Sequence, residues 1–422
     1  MKRLILIACL IPSCSITAVA LAQNVLIENA TVHTAGTRGT LKNTDVLVQG
    51  GIIRAIGPNL SAPGVTRVDA KGKPLTPGLF AGLGDIGLEE VSAEKSTVDA
   101  SFSLGEGVTG QMRPEFDVVP AFNPNSMLIP ITRLEGFTFT AISANPGSSL
   151  IGGQGAIMRL NGKFEDPIGS RILFASMGSS ADELSGSSRA AQYMLLDQAI
   201  REARGLSPYD YRQALLTPAG REALNKFLLG GRTVFNVERA SDIRQVLSFA
   251  KKNGMRPVIV GGTEAWQVAA QLKSDNVIVI VDALQNLPSS FDQIGARLDN
   301  AALLQKAGVR VGLYRADDAS QNARKVRQVA GNAVSNGLPW EAGLAAITSV
   351  PADAFGVGDK VGRIEVGLIA DLVLWNGDPL EVNTFAEQVW MSGQAMPMKS
   401  RQTQLRDRYM SEENGLPRAY KK

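Results

Sequence analysis

Four apolar runs in the second half of the chain, at residues 232–237, 256–261, 277–283 and 309–314, constrain the fold more than any other feature. Their continuous apolar character fits strands buried on both faces, as in a parallel sheet. Amphipathic helical stretches lie between and before them. Ser241 or Asp242 can cap a helix whose Ile243, Val246, Leu247 and Ala250 share one face, and Gly254 can end it in a left-handed conformation. Upstream, Thr217-Pro218 opens a helix with Leu224 and Leu228 one turn apart, closed by Gly230-Gly231. Thr263 can cap a third, carrying Ala265, Val268, Ala269 and Leu272. Repeated βα units of this length predict an α/β barrel or a doubly wound sheet.

Both ends of the chain have a different texture. Residues 24–34, 45–57 and 65–77 are short β-type runs, and Val46 and Val48 alternate into a Gly50-Gly51 turn before Ile52 and Ile53. Residues 362–365, 370–375 and 388–392 match them in character. The expected organisation is therefore a composite β-sandwich domain built from residues 23–76 and 361–395, a barrel over 77–360, and a charged tail over 396–422 that is a surface helix or disordered. The glycine-rich stretch 144–163 lacks the lysine spacing of a phosphate-binding loop and reads as a tight loop into a strand.

Residues 1–22 read as a signal peptide: Lys2 and Arg3, an apolar centre, and Ala20-Leu21-Ala22 before Gln23. The expectation is a periplasmic or secreted protein, free of the membrane after cleavage. Cys9 and Cys14 both fall in that segment, so the mature chain would carry no disulfide and no thiolate. Removing Lys2 and Arg3 from the 43 basic residues leaves 41 against 40 acidic ones. Such a balance offers no excess of positive charge for phosphates, and nucleic acid is not an expected partner.

Several stretches resemble a known family. Lys73-Pro74-Leu75-Thr76-Pro77-Gly78-Leu79-Phe80-Ala81-Gly82 is similar to the passage from β-domain to first barrel strand in the amidohydrolase superfamily. Ala121-Phe122-Asn123-Pro124, residues 128–136, 151–160, 237–243 and 260–266 resemble its imidazolonepropionase-like branch. The most specific likeness is residues 361–367 through 370–375, which resemble the return into the β-domain. The resemblance runs from about residue 24 to 395 and implies a (β/α)8 TIM-like barrel, with chemistry at the carboxyl ends of its strands.

Members of that superfamily usually hold divalent ions through a His-x-His pair, a bridging lysine or acid, two further histidines and a final aspartate. Such ions activate water and polarise the scissile carbonyl. This chain has one histidine, His33, which falls in a β-domain strand. Laid on the family pattern, Leu83 and Asp85 take the first two histidine positions, Asn236 the third, and Gly261 or Gly262 the fourth. The final aspartate matches Ala316, with Asp317 and Asp318 directly after it, and no equivalent of the bridging lysine is evident.

The candidate catalytic residues are accordingly Asp317 and Asp85, with Glu89 as a further acid, serving as general base and acid. Asn236, Arg239, Asp282 and Arg315 are candidate ligand-binding residues at strand ends. No metal ligands are assigned and no cofactor is expected. A divalent ion held by oxygens stays open, because Asp85, Asn236, Asp282 and Asp317 would suit Mg²⁺ or Ca²⁺ better than Zn²⁺. Against it, Arg239 and Arg315 would repel a cation and pair with the acids.

Three uses of such a chain follow. It could be a non-catalytic binder of a small amide-like or peptide-like ligand, or the partner of an active relative, as homo-oligomer or hetero-oligomer. It could be a hydrolase acting on carbon-nitrogen bonds other than peptide bonds through a rebuilt site. It could be a structural subunit, which would show a filled pocket and a large exposed apolar patch.

Overall fold

The N-terminal segment supplies β1 (Val25–His33), β2 (Thr40–Gln49), β3 (Ile52–Gly57), β4 (Thr66–Asp69) and β5 (Pro74–Pro77). Gly50 and Gly51 between β2 and β3 have φ of 62° and 79°, the left-handed geometry that a two-residue hairpin turn requires. Eight further strands form the central sheet: β6 (Leu79–Gly84), β7 (Phe137–Ile142), β8 (Ile151–Arg159), β9 (Ile168–Ser176), β10 (Arg232–Val237), β11 (Arg256–Gly261), β12 (Ile278–Val281) and β13 (Val311–Leu313). The chain then returns to the first sheet with β14 (Leu372–Trp375), β15 (Ala386–Met391) and β16 (Gln394–Ala395). This computed structural model describes residues 24–101, 112–145, 149–185, 188–207, 213–317 and 319–410. The N-terminal basic and apolar segment, both cysteines, Asp318 and residues 411–422 lie outside them.

The terminal strands share one sheet, ordered β16-β15-β14-β5-β1-β2-β3, with β4 also on β1. The first half of β1 pairs with β4 and its second half with β5, so its two halves have different neighbours on that edge. Register shifts on either side of Ala30, with Asn29 at φ 54°, mark the change. Residues 362–365, expected as strand, are not one; Ile364 is instead buried and donates its N–H to Thr34 O at 2.9 Å.

The second sheet runs β13-β12-β11-β10-β9-β8-β7-β6, the order of a barrel cut open along one seam. Leu313 N–H donates to Ala346 O and Phe80 N–H to Ile347 O, both at 2.8 Å, so residues 346–347 bridge the seam. Seven strands are parallel, whereas β8 runs antiparallel to both neighbours. The reason is length: a parallel crossover needs a dozen or more residues, and the connections flanking β8 are too short to hold a helix. The glycine-rich stretch 144–163, expected as a loop into a strand, leads into this strand at Ile151.

Side chains alternate along the barrel strands. Val234, Val258, Val260, Ile278 and Ile280 pack inward with Phe80 and Phe139, and Phe355 closes one end with its ring 5.6 Å from that of Phe80. Phe235, Val237, Ile259 and Val279 point outward against Ile243, Val246 and Leu247 of the helix Ala240–Asn253 and other helices. That helix ends at Gly254 in the left-handed conformation as expected, but its N-cap is Arg239, two residues before Ser241 and three before Asp242. Asp242 is not free to cap, since its carboxylate accepts from Arg189 Nε at 2.8 Å. Thr217 does cap the helix Pro218–Leu228.

Asp371 joins the two sheets. Its carboxylate accepts from Arg159 Nη2 of β8 at 2.6 Å and from the N–H of Ser392 at 2.8 Å. The helix Arg401–Met410, the described part of the charged tail, buries none of its residues. No described helix is long and apolar enough to cross a membrane.

Candidate active site at the barrel mouth

Five parallel strand ends, of β6, β7, β9, β10 and β11, and the residues following β13 converge on a cavity of about 430 Å³. The floor is apolar, with Leu83, Phe174, Val234 and Val260, and the rim is polar, with Asp85, Ser143, Asn145, Ser176, Asn236, Glu238 and Tyr314. Period-two alternation explains the β10 contribution: Val234 deepest, then Asn236, then Glu238 where the strand opens.

Asp85 follows β6, and its N–H donates to Ser320 Oγ at 2.9 Å. Burial, and secondarily the neighbouring Glu89, pushes its carboxyl up to about 6. Glu238 faces the cavity from β10 and accepts from the N–H of Thr263 at 3.0 Å and from Thr263 Oγ1 at 2.5 Å. Thr263 is thus spent on Glu238 and does not cap a helix; a short 3-10 turn, Ala265–Val268, leads into Ala269–Ser274 instead. Tyr314 is buried, and desolvation, with Glu238 and Asp282 nearby, raises its hydroxyl pKa, so it stays protonated.

Of the residues singled out from sequence, the structure brings Asp85 and Asn236 into the cavity lining. Asp282 is buried and holds the rim together: it accepts from Arg315 Nη1 at 2.5 Å, from Ala316 N–H at 3.1 Å and from Leu284 N–H at 3.0 Å. Asp317 is exposed and pairs with Arg315 Nη2 at 3.3 Å, and neither residue lines the cavity. Arg239 is exposed at the start of its helix, also away from the lining. His33 is half-buried in β1, with its ring 4.6 Å from that of Trp340 and its Nδ1 2.8 Å from Thr40 Oγ1. Burial lowers its pKa, and it serves the joint between β-domain and barrel.

Glu238, Ser176 and Tyr314 escaped the sequence reading because none occupies a family ligand position. Alternation was the available signal: once Asn236 is placed inward, Glu238 must share its face.

The residues at the strand ends do not fit a histidine-bound ion. Leu83 offers no donor, Gly261 and Gly262 have no side chain, and Asn236 is a neutral amide. Among the described residues no group of three or more His, Cys, Asp or Glu is arranged to hold a metal.

A sequence profile of the amidohydrolase family matches residues 223–399. An amidohydrolase from Thermotoga maritima MSB8 superposes with a TM-score of 0.77 at 24% identity, over 89% of this chain and 100% of that one. Molinate hydrolase superposes with a TM-score of 0.53 at 16% identity, over 89% of this chain and 95% of the other. A curated relative, amidohydrolase tasK of Hapsidospora irregularis, is 41% identical over 83 residues. That match spans 20% of this chain and only 8% of the relative's length. The profile match covers less than half of the chain, and the superpositions show that the whole shares its fold with these amidohydrolases.

Proposed function

We propose that this chain binds a small amide-like or peptide-like molecule at the barrel mouth without histidine-bound metal, acting as a non-catalytic ligand-binding protein or as the partner subunit of an active relative. The supporting observation is the cavity itself, whose rim donors are oxygens and an amide where the superfamily's chemistry calls for imidazole. An open, polar-lined mouth favours ligand binding over a purely structural role. The motifs quoted above favour the imidazolonepropionase-like branch, and the N-terminal pattern favours export to the periplasm or exterior. A partner chain, whether a second copy or an active amidohydrolase, is supported by Leu284, Leu287, Phe291 and Ile294, exposed apolar residues on the connection after β12.

The test is elemental analysis of the purified protein after equilibration with Zn²⁺, Mn²⁺, Mg²⁺ and Ca²⁺ and removal of loose metal. Sub-stoichiometric metal is the expected result. One tightly held ion per chain, lost on Asp85→Ala or Asp317→Ala, overturns the proposal.

One observation favours a second reading, a hydrolase of carbon-nitrogen bonds other than peptide bonds. Asp85, its carboxyl pushed up to about 6 by burial, shares the cavity with Glu238, a pairing able to supply an acid and a base. Turnover of amide substrates that disappears in Asp85→Asn would establish it over the first.

A further inference from the structure

Two hydroxyls on buried residues open onto the cavity. Ser176 is 5% exposed and Tyr314 9%, both line the cavity, and neither side-chain oxygen has a hydrogen-bond partner among the described residues. Both oxygens open onto the cavity rather than being sealed in the interior, so a molecule seated there takes the place of water as their partner.

The charge around them selects what that is. Among the described lining residues Asp85 and Glu238 are the carboxylic acids, and none is a lysine, arginine or histidine. Arg315, adjacent in sequence to Tyr314, is held by Asp282 and Asp317. An anion would meet carboxylates with no counter-charge, and a neutral amide would offer them N–H donors but no charge to offset theirs. A cation answers both conditions: it offers N–H donors to the carboxylates and to the hydroxyl oxygens, while Phe174 presents an aromatic ring and Val234 and Val260 an aliphatic wall to the remainder.

Building on the ligand-binding reading above, we propose that the mouth cavity takes a small organic cation, an ammonium- or amidinium-bearing molecule with a compact apolar body. Asp85 and Glu238 hold the charge, Ser176 and Tyr314 orient it, and Phe174, Val234 and Val260 enclose the body. A volume of about 430 Å³ accommodates a molecule of one ring and a short substituent.

Calorimetric titration of the purified protein with benzamidinium, benzamide and benzoate tests the assignment, since the three differ chiefly in charge. Benzamidinium is expected to bind at least about tenfold more tightly than benzamide, and benzoate not measurably. Asp85→Asn, with its fold checked by circular dichroism, should weaken benzamidinium about tenfold or more. Tyr314→Phe keeps the ring and removes the hydroxyl, and should weaken benzamidinium as well. Benzamide or benzoate binding as tightly as benzamidinium overturns the cation while leaving the ligand-binding reading standing. Binding of benzamidinium untouched by both variants overturns the location. No binding by any of the three overturns both readings.

Discussion

The Glu238 carboxylate lies 2.5 Å from where a Cβ on Gly261 would sit, so the acid of β10 fills the space beside the end of β11. Gly261 is also at φ 87°, and Thr263 fixes the same carboxylate from the far side. A residue with a side chain at 261 would have to displace Glu238 and accept a strained backbone. Gly261→Ala is expected to cost on the order of 2–4 kcal/mol, from strain and overpacking together. Denaturant unfolding measures it, and a loss below about 0.5 kcal/mol would mean that Glu238 moves aside freely.

Asp85 gives a pH signature. Its folded-state carboxyl, at about 6, keeps a proton that the unfolded chain releases near pH 4. The native state therefore binds more protons between these values, and this group's contribution is most favourable below about pH 4 and is lost as pH rises through about 6. Asp85→Asn should raise stability at about pH 7.5 by on the order of 1–3 kcal/mol and leave it unchanged near pH 4. Thermal melts across that range decide it; a gain independent of pH would point to packing rather than charge.

Arg315 has a structural task at the rim. Removing its guanidinium leaves the buried Asp282 carboxylate with backbone N–H donors alone. Arg315→Met should destabilise the protein by roughly 3 kcal/mol, the scale of breaking a buried pair from one side. The double variant Arg315→Met/Asp282→Asn should recover part of that loss. Equal stability of wild type and the single variant would show that Arg315 is free to serve a ligand.

Arg327 fastens the barrel to the returning C-terminal segment. Its Nη1 donates to Pro379 O at 3.0 Å and Glu381 O at 2.6 Å, its Nη2 to Thr384 O at 2.7 Å, and its guanidinium stacks 5.3 Å from the Trp375 ring. Burial lowers its pKa, which shows how much solvation it has given up. Arg327→Ala leaves three carbonyls without that donor, and a loss of about 3 kcal/mol or more is expected in chemical denaturation. Lysine at 327, lacking the planar fork, should rescue less than half.

Much of this architecture was legible in the sequence where burial was total. β10 and β11 have the bounds that their unbroken apolar runs predicted, and Gly254 ends its helix because a left-handed residue was needed there. Legibility failed where a side chain had a tertiary partner invisible from its neighbours. Thr263 looked like a cap but serves Glu238, and Asp242 looked like a cap but serves Arg189. Glycines blurred the start of β8: Gly153, at φ 128°, has Phe116 O 2.4 Å from its would-be Cβ, and Gly155 is crowded by Ile142 O at 2.0 Å. Close backbone approach put glycine in a strand, so composition showed that a loop enters a strand here but not where the strand begins.

The reversed strand also bears on how the barrel assembles. Strands β7, β8 and β9 follow one another through two short connections, whereas every later barrel strand waits for a helix to bring it back. Short loops close in well under a microsecond and hairpins within about ten, so this sector has the lowest entropic barrier to first pairing. Pulsed hydrogen exchange during refolding should show amides of Phe137–Ile142 and Ile151–Arg159 protected before those of Ile278–Val281 and Val311–Leu313. In the opposite order, the two hairpins would be products of a preformed barrel; in the expected one, they are the template on which its remaining staves are laid.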